Sequence, residues 1–387
     1  MKKYIALGAI AIVLIAGAVH FTRSSSAPVD PRLVKADNDF AFRLYKEIAR
    51  RDAGKNIFIS PISIALALQM TYNGASGTTK DAMAKALGLQ GLTLDEVNKA
   101  NAALLRNLAN PGPGTELDIA TSVWAKPRLV PDFEKTVGLS YHAGFGPLKL
   151  DAINAWVNRQ TKGKIERMID QLNPGDVFLL ASAIYFKGVW TSKFDRRWTE
   201  DMPFRLASGK DKTVPTMHQI SKFSVVQGKD FGAIRLPYST GRLSMYAFLP
   251  WHSLAAFRKE LDSTNWDRWM AEFQEPEEFE IFLPRYELNY EIELNRQLKV
   301  MGMEEAFEGA DFAKIVYGGG AWISRVNHKA VVEVNEEGTE AAAGSSSLGT
   351  AGGPDSLMFD HPFFFVIRDD KTGAILFMGS VVDPTKH

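Results

Sequence analysis

The chain has no cysteine among its 387 residues. Disulfides, thiolate nucleophiles and cysteine-ligated zinc are therefore excluded, and stability must come from packing. Excess charge of either sign is also missing, since Lys+Arg and Asp+Glu number 45 each. A nucleic-acid binder carries a basic footprint, so this balance argues against that class of partner. Catalytic motifs are absent too. There is no G-x-S-x-G, no H-E-x-x-H and no P-loop pattern, and the seven histidines are scattered. Gly318-Gly-Gly320 lacks phosphate-loop spacing and reads as a turn. The expectation is a protein that is not an enzyme and uses neither cofactor nor metal. No internal repeat is visible, and no lysine or arginine occurs between Lys329 and Arg368.

What is present is apolar material. Hydrophobic residues make up 45 % of the chain, enough for a large core and too much for general disorder. Lys2 and Lys3 precede an apolar run from Tyr4 to Val19, and Ala16-Gly-Ala18 fits a small-x-small cleavage site. Residues 1–21 therefore read as a signal peptide or as an uncleaved N-terminal anchor attaching the chain to a membrane through residues 4–21. Both readings export the remainder, to the periplasm or the exterior. Residues 22–32, rich in Ser and Pro, read as a linker, and residues 33–387 as a single domain.

Helices are expected early. The run from Asp39 to Ala49 places Phe40, Leu44 and Ile48 on one face, with Asp37 or Asn38 as its cap. Ser60-Pro61 opens a second helix to Tyr72, with proline where its missing N–H costs nothing. Thr79–Leu87, Asp95–Leu108 and Asn154–Thr161 read as further helices. Strands are expected later, at Phe178–Phe186, Leu243–Leu249, Phe279–Leu283, Ala330–Asn335, Phe363–Ile367 and Ile375–Val382. The first of these is continuously apolar, as in a strand buried on both faces. Helices first and strands later give an α+β class.

Between Glu333 and Ser356 the strand-like pattern runs without a breaker into a small-residue segment. About 18 residues of loop composition exceed the usual ceiling of about 12–15 for a structureless connection. Such a segment is functional or disordered, or it is kept able to become a strand.

Several strings, in order, carry a family resemblance. They are Asn56–Ser63, Asn73–Thr79, Ala183–Trp190, Val214–His218, Leu236-Pro-Tyr238, Glu333–Ala343, His361-Pro-Phe363 and Phe377–Ser380. Over about Asp39 to Pro384 the chain resembles the serpins, here as an exported member of bacterial type. The resemblance implies helices packed around a large central, mostly antiparallel sheet plus smaller sheets, with an exposed reactive-centre loop at about 336–356. It implies a monomer that inhibits a serine protease as a suicide substrate. The protease cleaves the loop and is acylated; the loop then inserts into the central sheet and carries the covalent acyl-enzyme away.

The resemblance also implies roles. Glu336, Gly338, Thr339, Glu340, Ala341, Ala342, Ala343 and Gly344 align with the hinge. Ser60, Ser63, Ser182 and His328 align with a polar shutter beneath the sheet, where Ser182 replaces the usual asparagine. Trp190 aligns with the breach, where insertion begins. Alignment sets Thr339, Ala341, Ala343, Ser345 and Ser347 facing inward, all small, and Glu340 outward. An unpaired inward charge would cost several kcal/mol. About 14 inserted residues give a throw of roughly 45 Å. Counting from Glu336 places the cleaved bond after Gly352, and counting back from His361 places it after Ala351. Thr350, Ala351, Gly352 and Gly353 thus form the recognition region. These small residues fit an elastase-like or subtilisin-like protease, and the missing basic residue disfavours a trypsin-like one. A non-inhibitory carrier or chaperone, and a cross-class inhibitor of papain-like cysteine proteases, are the alternative functions.

Overall fold

The computed structural model describes residues 28–318, 320–338 and 355–386. Pro31–Arg51 forms helix α1, earlier than the sequence pattern predicts. Its cap is Asp30, whose carboxylate accepts from the Arg32 N–H at 2.9 Å, with Pro31 in the first turn. Asp37 and Asn38 lie inside the helix and do not cap it, and the helix begins at Pro31, within the segment expected as a linker. Leu33 and Val34 extend the buried face of the helix by one turn.

Pro61–Tyr72 (α2) is buried at every residue. An all-round apolar helix belongs in the interior, and α2 lies between α1 and the strands. Gly77–Leu87 (α3) and Leu94–Leu108 (α4) follow, the latter closed by a Thr93–Glu96 capping box. Pro131–Tyr141 (α5) buries only Phe133, Val137 and Tyr141, a stripe too thin to mark it in the sequence. Leu150–Gln160 (α6), Leu254–Glu260 (α7) and Ser263–Glu272 (α8) complete the helices that matter here.

The strands are β1 (Ile57–Ile59), β2 (Thr115–Ala125), β3 (Gly144–Pro147), β4 (Phe178–Gly188), β5 (Glu200–Arg205), β6 (Asp211–Gln227) and β7 (Phe231–Tyr238). They continue as β8 (Leu243–Pro250), β9 (Glu277–Pro284), β10 (Tyr286–Glu293), β11 (Ile323–Val334), β12 (Ser356–Met358), β13 (Phe363–Asp369) and β14 (Ile375–Val381). One sheet has the order β10-β11-β4-β2-β3. The other runs β1-β14-β13-β8-β7-β6-β9-β12, with β5 on β6. The architecture is α+β, as expected. In the five-stranded sheet the pairs β10–β11 and β4–β2 are antiparallel, while β11–β4 and β2–β3 are parallel, so this sheet is mixed.

Strand β4 is buried on both faces. Leu179, Ala181 and Ala183 pack with Ile153 and Val157 of α6, whereas Phe178, Leu180, Ile184 and Phe186 join the main core around α2. The period of two places Ser182 on the α2 side. The turn from β1 into α2 lies beneath it.

Candidate functional site

Two places along β4 and β11 in the five-stranded sheet gather buried polar groups, one within their ladder and one where it ends. The first is midway along β4 and β11, where Ser182 and His328 are register partners. Ser60, Ser63, Ser182 and His328 are all buried there and form one hydrogen-bonded chain. The Ser60 N–H donates to His328 Nε2 at 3.0 Å, so Nε2 is unprotonated and the ring proton sits on Nδ1. Nδ1 faces Ser182 Oγ at 3.2 Å, Ser182 Oγ faces Ser63 Oγ at 2.8 Å, and Ser63 Oγ donates to Ser60 O at 3.1 Å. The direction follows: His328 to Ser182 to Ser63 to Ser60. Ser60 Oγ in turn donates to Leu376 O on β14 at 2.7 Å. The cluster therefore ties β4, β11, the α2 cap and β14 together. Burial drags the imidazole down to about 3, with a hydrogen bond to the Ser182 backbone opposing, so His328 is neutral near pH 7.

The second place is the end of β4 and β11. Their mutual pairing stops at Tyr185↔Val331. The flanking ladders continue, β2–β4 to Thr115↔Gly188 and β10–β11 to Tyr286↔Val334. The two central strands thus part over their last three residues. The chain leaving β11 then reverses. Asn335 and Gly338 bridge each other across Glu336 and Glu337. Trp190 holds this turn, donating from Nε1 to Asn335 O and from its backbone N–H to Glu337 O, both at 3.0 Å. Its ring stacks on Tyr238 with centroids 4.4 Å apart. Phe194 N–H donates to Glu336 O at 2.9 Å.

Glu336 is only 1 % exposed. Its Oε1 accepts from Thr199 Oγ1 at 2.7 Å and lies 3.6 Å from the Arg285 guanidinium, while Oε2 has no partner among the described residues. Glu337 lies 3.4 Å from the Arg196 guanidinium. Gly338 has φ +102°, and a Cβ there would sit 2.3 Å from Gly188 O and 2.4 Å from Trp190 N. Glycine is required both by the dihedral and by this close approach.

The structure therefore brings Ser60, Ser63, Ser182 and His328 together, and joins Trp190 to Glu336 and Gly338 about the opening between β4 and β11. Thr339, Glu340, Ala341, Ala342, Ala343 and Gly344, and the expected bond region Thr350, Ala351, Gly352 and Gly353, lie outside the described residues, as does the expected export segment 1–21. Among the described residues no helix is long and apolar enough to cross a membrane, and no three His, Asp or Glu side chains converge as metal ligands would. Thr199, Arg285, Arg196 and Phe194 were not expected at the hinge. No local pattern marks them, because each reaches it from a distant part of the chain.

Comparison with known proteins bears on the same architecture. The family model described as serpin, serine protease inhibitor, matches residues 35–384. The leukocyte elastase inhibitor of Xenopus tropicalis is 35 % identical, the match covering 91 % of this chain and 99 % of that protein. The crystal structure of the thermophilic serpin Tengpin in its native state superposes with a TM-score of 0.85 at 28 % identity, covering 93 % of this chain and 96 % of Tengpin. Human thyroxine-binding globulin complexed with thyroxine gives a TM-score of 0.85 at 28 % identity, covering 92 % of this chain and 99 % of that one. By its sequence match over residues 35–384 and by its superposition on solved serpin structures, this chain belongs to the serpin family.

Proposed function

We propose that the protein is a suicide-substrate inhibitor of serine endopeptidases with small-residue preference, elastase-like or subtilisin-like, cleaved after Ala351 or Gly352. The observation that carries this reading is the parting of β4 and β11 beside the turn at Gly338. These two strands are parallel, and a segment returning from Gly338 would run antiparallel to both. Insertion would then replace one parallel ladder with two antiparallel ones, which are slightly more stable per residue. The small residues Thr339, Ala341, Ala343, Ser345 and Ser347 suit entry into such a gap. Elastase inhibition by the Xenopus relative fits the small residues at 350–353. We further propose export of the domain through residues 1–21, and action as a monomer that forms a covalent complex with its target.

Incubation with elastase and subtilisin, followed by denaturing electrophoresis, tests the proposal. A heat-stable adduct is expected, and the released C-terminal peptide should begin at Gly352 or Gly353. Clean cleavage without adduct would instead favour a carrier role, such as ligand binding of the kind seen in the complex of thyroxine-binding globulin with thyroxine. Thr339→Arg forces a guanidinium into the inserting face, so cleavage should persist while adduct is lost. Full inhibition by that variant would rule out insertion as the means of capture.

A further inference from the structure

Away from the hinge, a cavity of about 560 Å³ opens between the turn after β5, the β8–α7 connection and the segment preceding β13. Leu206, Trp251, Leu254 and Pro362 give it apolar walls, and Arg258 of α7 reaches it from within the fold. Arg258 is only 8 % exposed. Its three nitrogens donate to neutral oxygens alone: Nε to Tyr45 OH at 3.1 Å, Nη1 to Ala53 O at 3.3 Å and Nη2 to Ser380 Oγ at 2.8 Å. The Tyr45 ring, 5.7 Å from the guanidinium, adds a cation–π contact. No carboxylate pairs with Arg258 among the described residues. A guanidinium carries five N–H groups, and these three hydrogen bonds account for one on each nitrogen.

Buried charges are normally paired, because desolvation without a counter-charge is costly. The cavity wall does not supply that counter-charge. Asp360 is its only carboxylate among the described residues, and it is engaged by His361 Nδ1 at 2.6 Å. His361 Nε2 faces Pro250 O at 2.8 Å. Arg205 also lines the cavity, but its exposed side chain lies 3.4 Å from Asp211, which leaves Arg258 as the unpaired buried cation among the described residues. The indole of Trp251, 43 % exposed, offers a flat apolar surface beside this positive interior. A volume of this size falls in the range of small-molecule sites, about 300–1,000 Å³, which are mostly apolar with a few fixed polar groups.

We propose that this cavity binds a small organic anion: a carboxylate that pairs with Arg258, carried on a flat apolar body that packs on Trp251 and Leu206. Its lining includes none of the residues proposed for protease recognition, and the proposal does not depend on inhibition. Titration calorimetry with 2-naphthoate and its neutral isostere 2-naphthamide tests it on the full chain. Naphthoate should bind with one-to-one stoichiometry and at least tenfold more tightly than the amide. Arg258→Met should abolish that preference. Ala255→Glu, at an exposed position in the lining, should weaken naphthoate at least tenfold while leaving Arg258 in place; it decides the question if the Arg258 variant does not fold. Equal affinity for acid and amide, no measurable naphthoate binding, or full naphthoate affinity in Ala255→Glu would overturn the proposal.

Discussion

Two buried side chains carry opposite protonation burdens. His328 is neutral in the fold, held down to about 3 by burial, whereas an unfolded histidine titrates near 6.5. Its contribution to stability is complete above about pH 6.5 and is lost as pH falls toward 3. Asp37 is the reverse. Burial in α1 pushes its carboxyl up to about 7, opposed by the Gln69 hydrogen bond at 2.6 Å, and Oδ2 has no partner. Its contribution is complete below about pH 4 and is lost as pH rises to 7. Between pH 4 and 6.5 the two slopes are each about 1.4 kcal/mol per unit and of opposite sign, so they cancel. Asp37→Asn should therefore expose the histidine, with stability rising by about 3 kcal/mol from pH 4.5 to 6.5 relative to the parent. His328→Gln should show the mirror trend. Urea midpoints at the two pH values measure both, and parallel pH profiles for parent and variants would refute these ionisation states.

At the scale of elements, the hinge turn replaces a strand ladder as the link between β4 and β11. Its fit rests on Gly338, where a methyl group would overlap Gly188 O. Gly338→Ala should push the turn off Trp190 at a cost of about 1–3 kcal/mol. Amide exchange at Trp190 and Phe194, which donate to Glu337 O and Glu336 O, should then quicken by about tenfold or more. Exchange along β10–β11 serves as the internal control, and unchanged protection at Trp190 would show that the turn is not held this way. Much of this region is legible in the sequence. The family resemblance singles out Trp190, and the α2 start at Ser60-Pro61 and the double-sided burial of β4 follow from local residue pattern. The clamp on Glu336 does not, because Thr199 and Arg285 meet it only through the tertiary fold. The α1 start was misread because Leu33 and Val34 form only one apolar turn behind a proline, which resembles a linker. Helix α5 stayed hidden because a three-residue stripe interrupted by Gly138 carries little periodic signal.

For the whole molecule, the feature that bears on the proposed insertion is that β4 and β11, paired over most of their length, part at one end. The ladder between β4 and β11 is closed at the Ser182–His328 cluster and open beyond Tyr185. If the described fold is the higher-energy form, a chain able to add its loop to the sheet must be more stable afterward. The direct test is to nick the loop between Leu348 and Gly353, with both fragments retained, and to compare thermal unfolding with that of the intact chain. At about 2–4 °C per kcal/mol for a domain of this order, a new central strand should raise the melting temperature by roughly 10 °C or more. A nicked protein that melts at or below the temperature of the intact one would contradict the account.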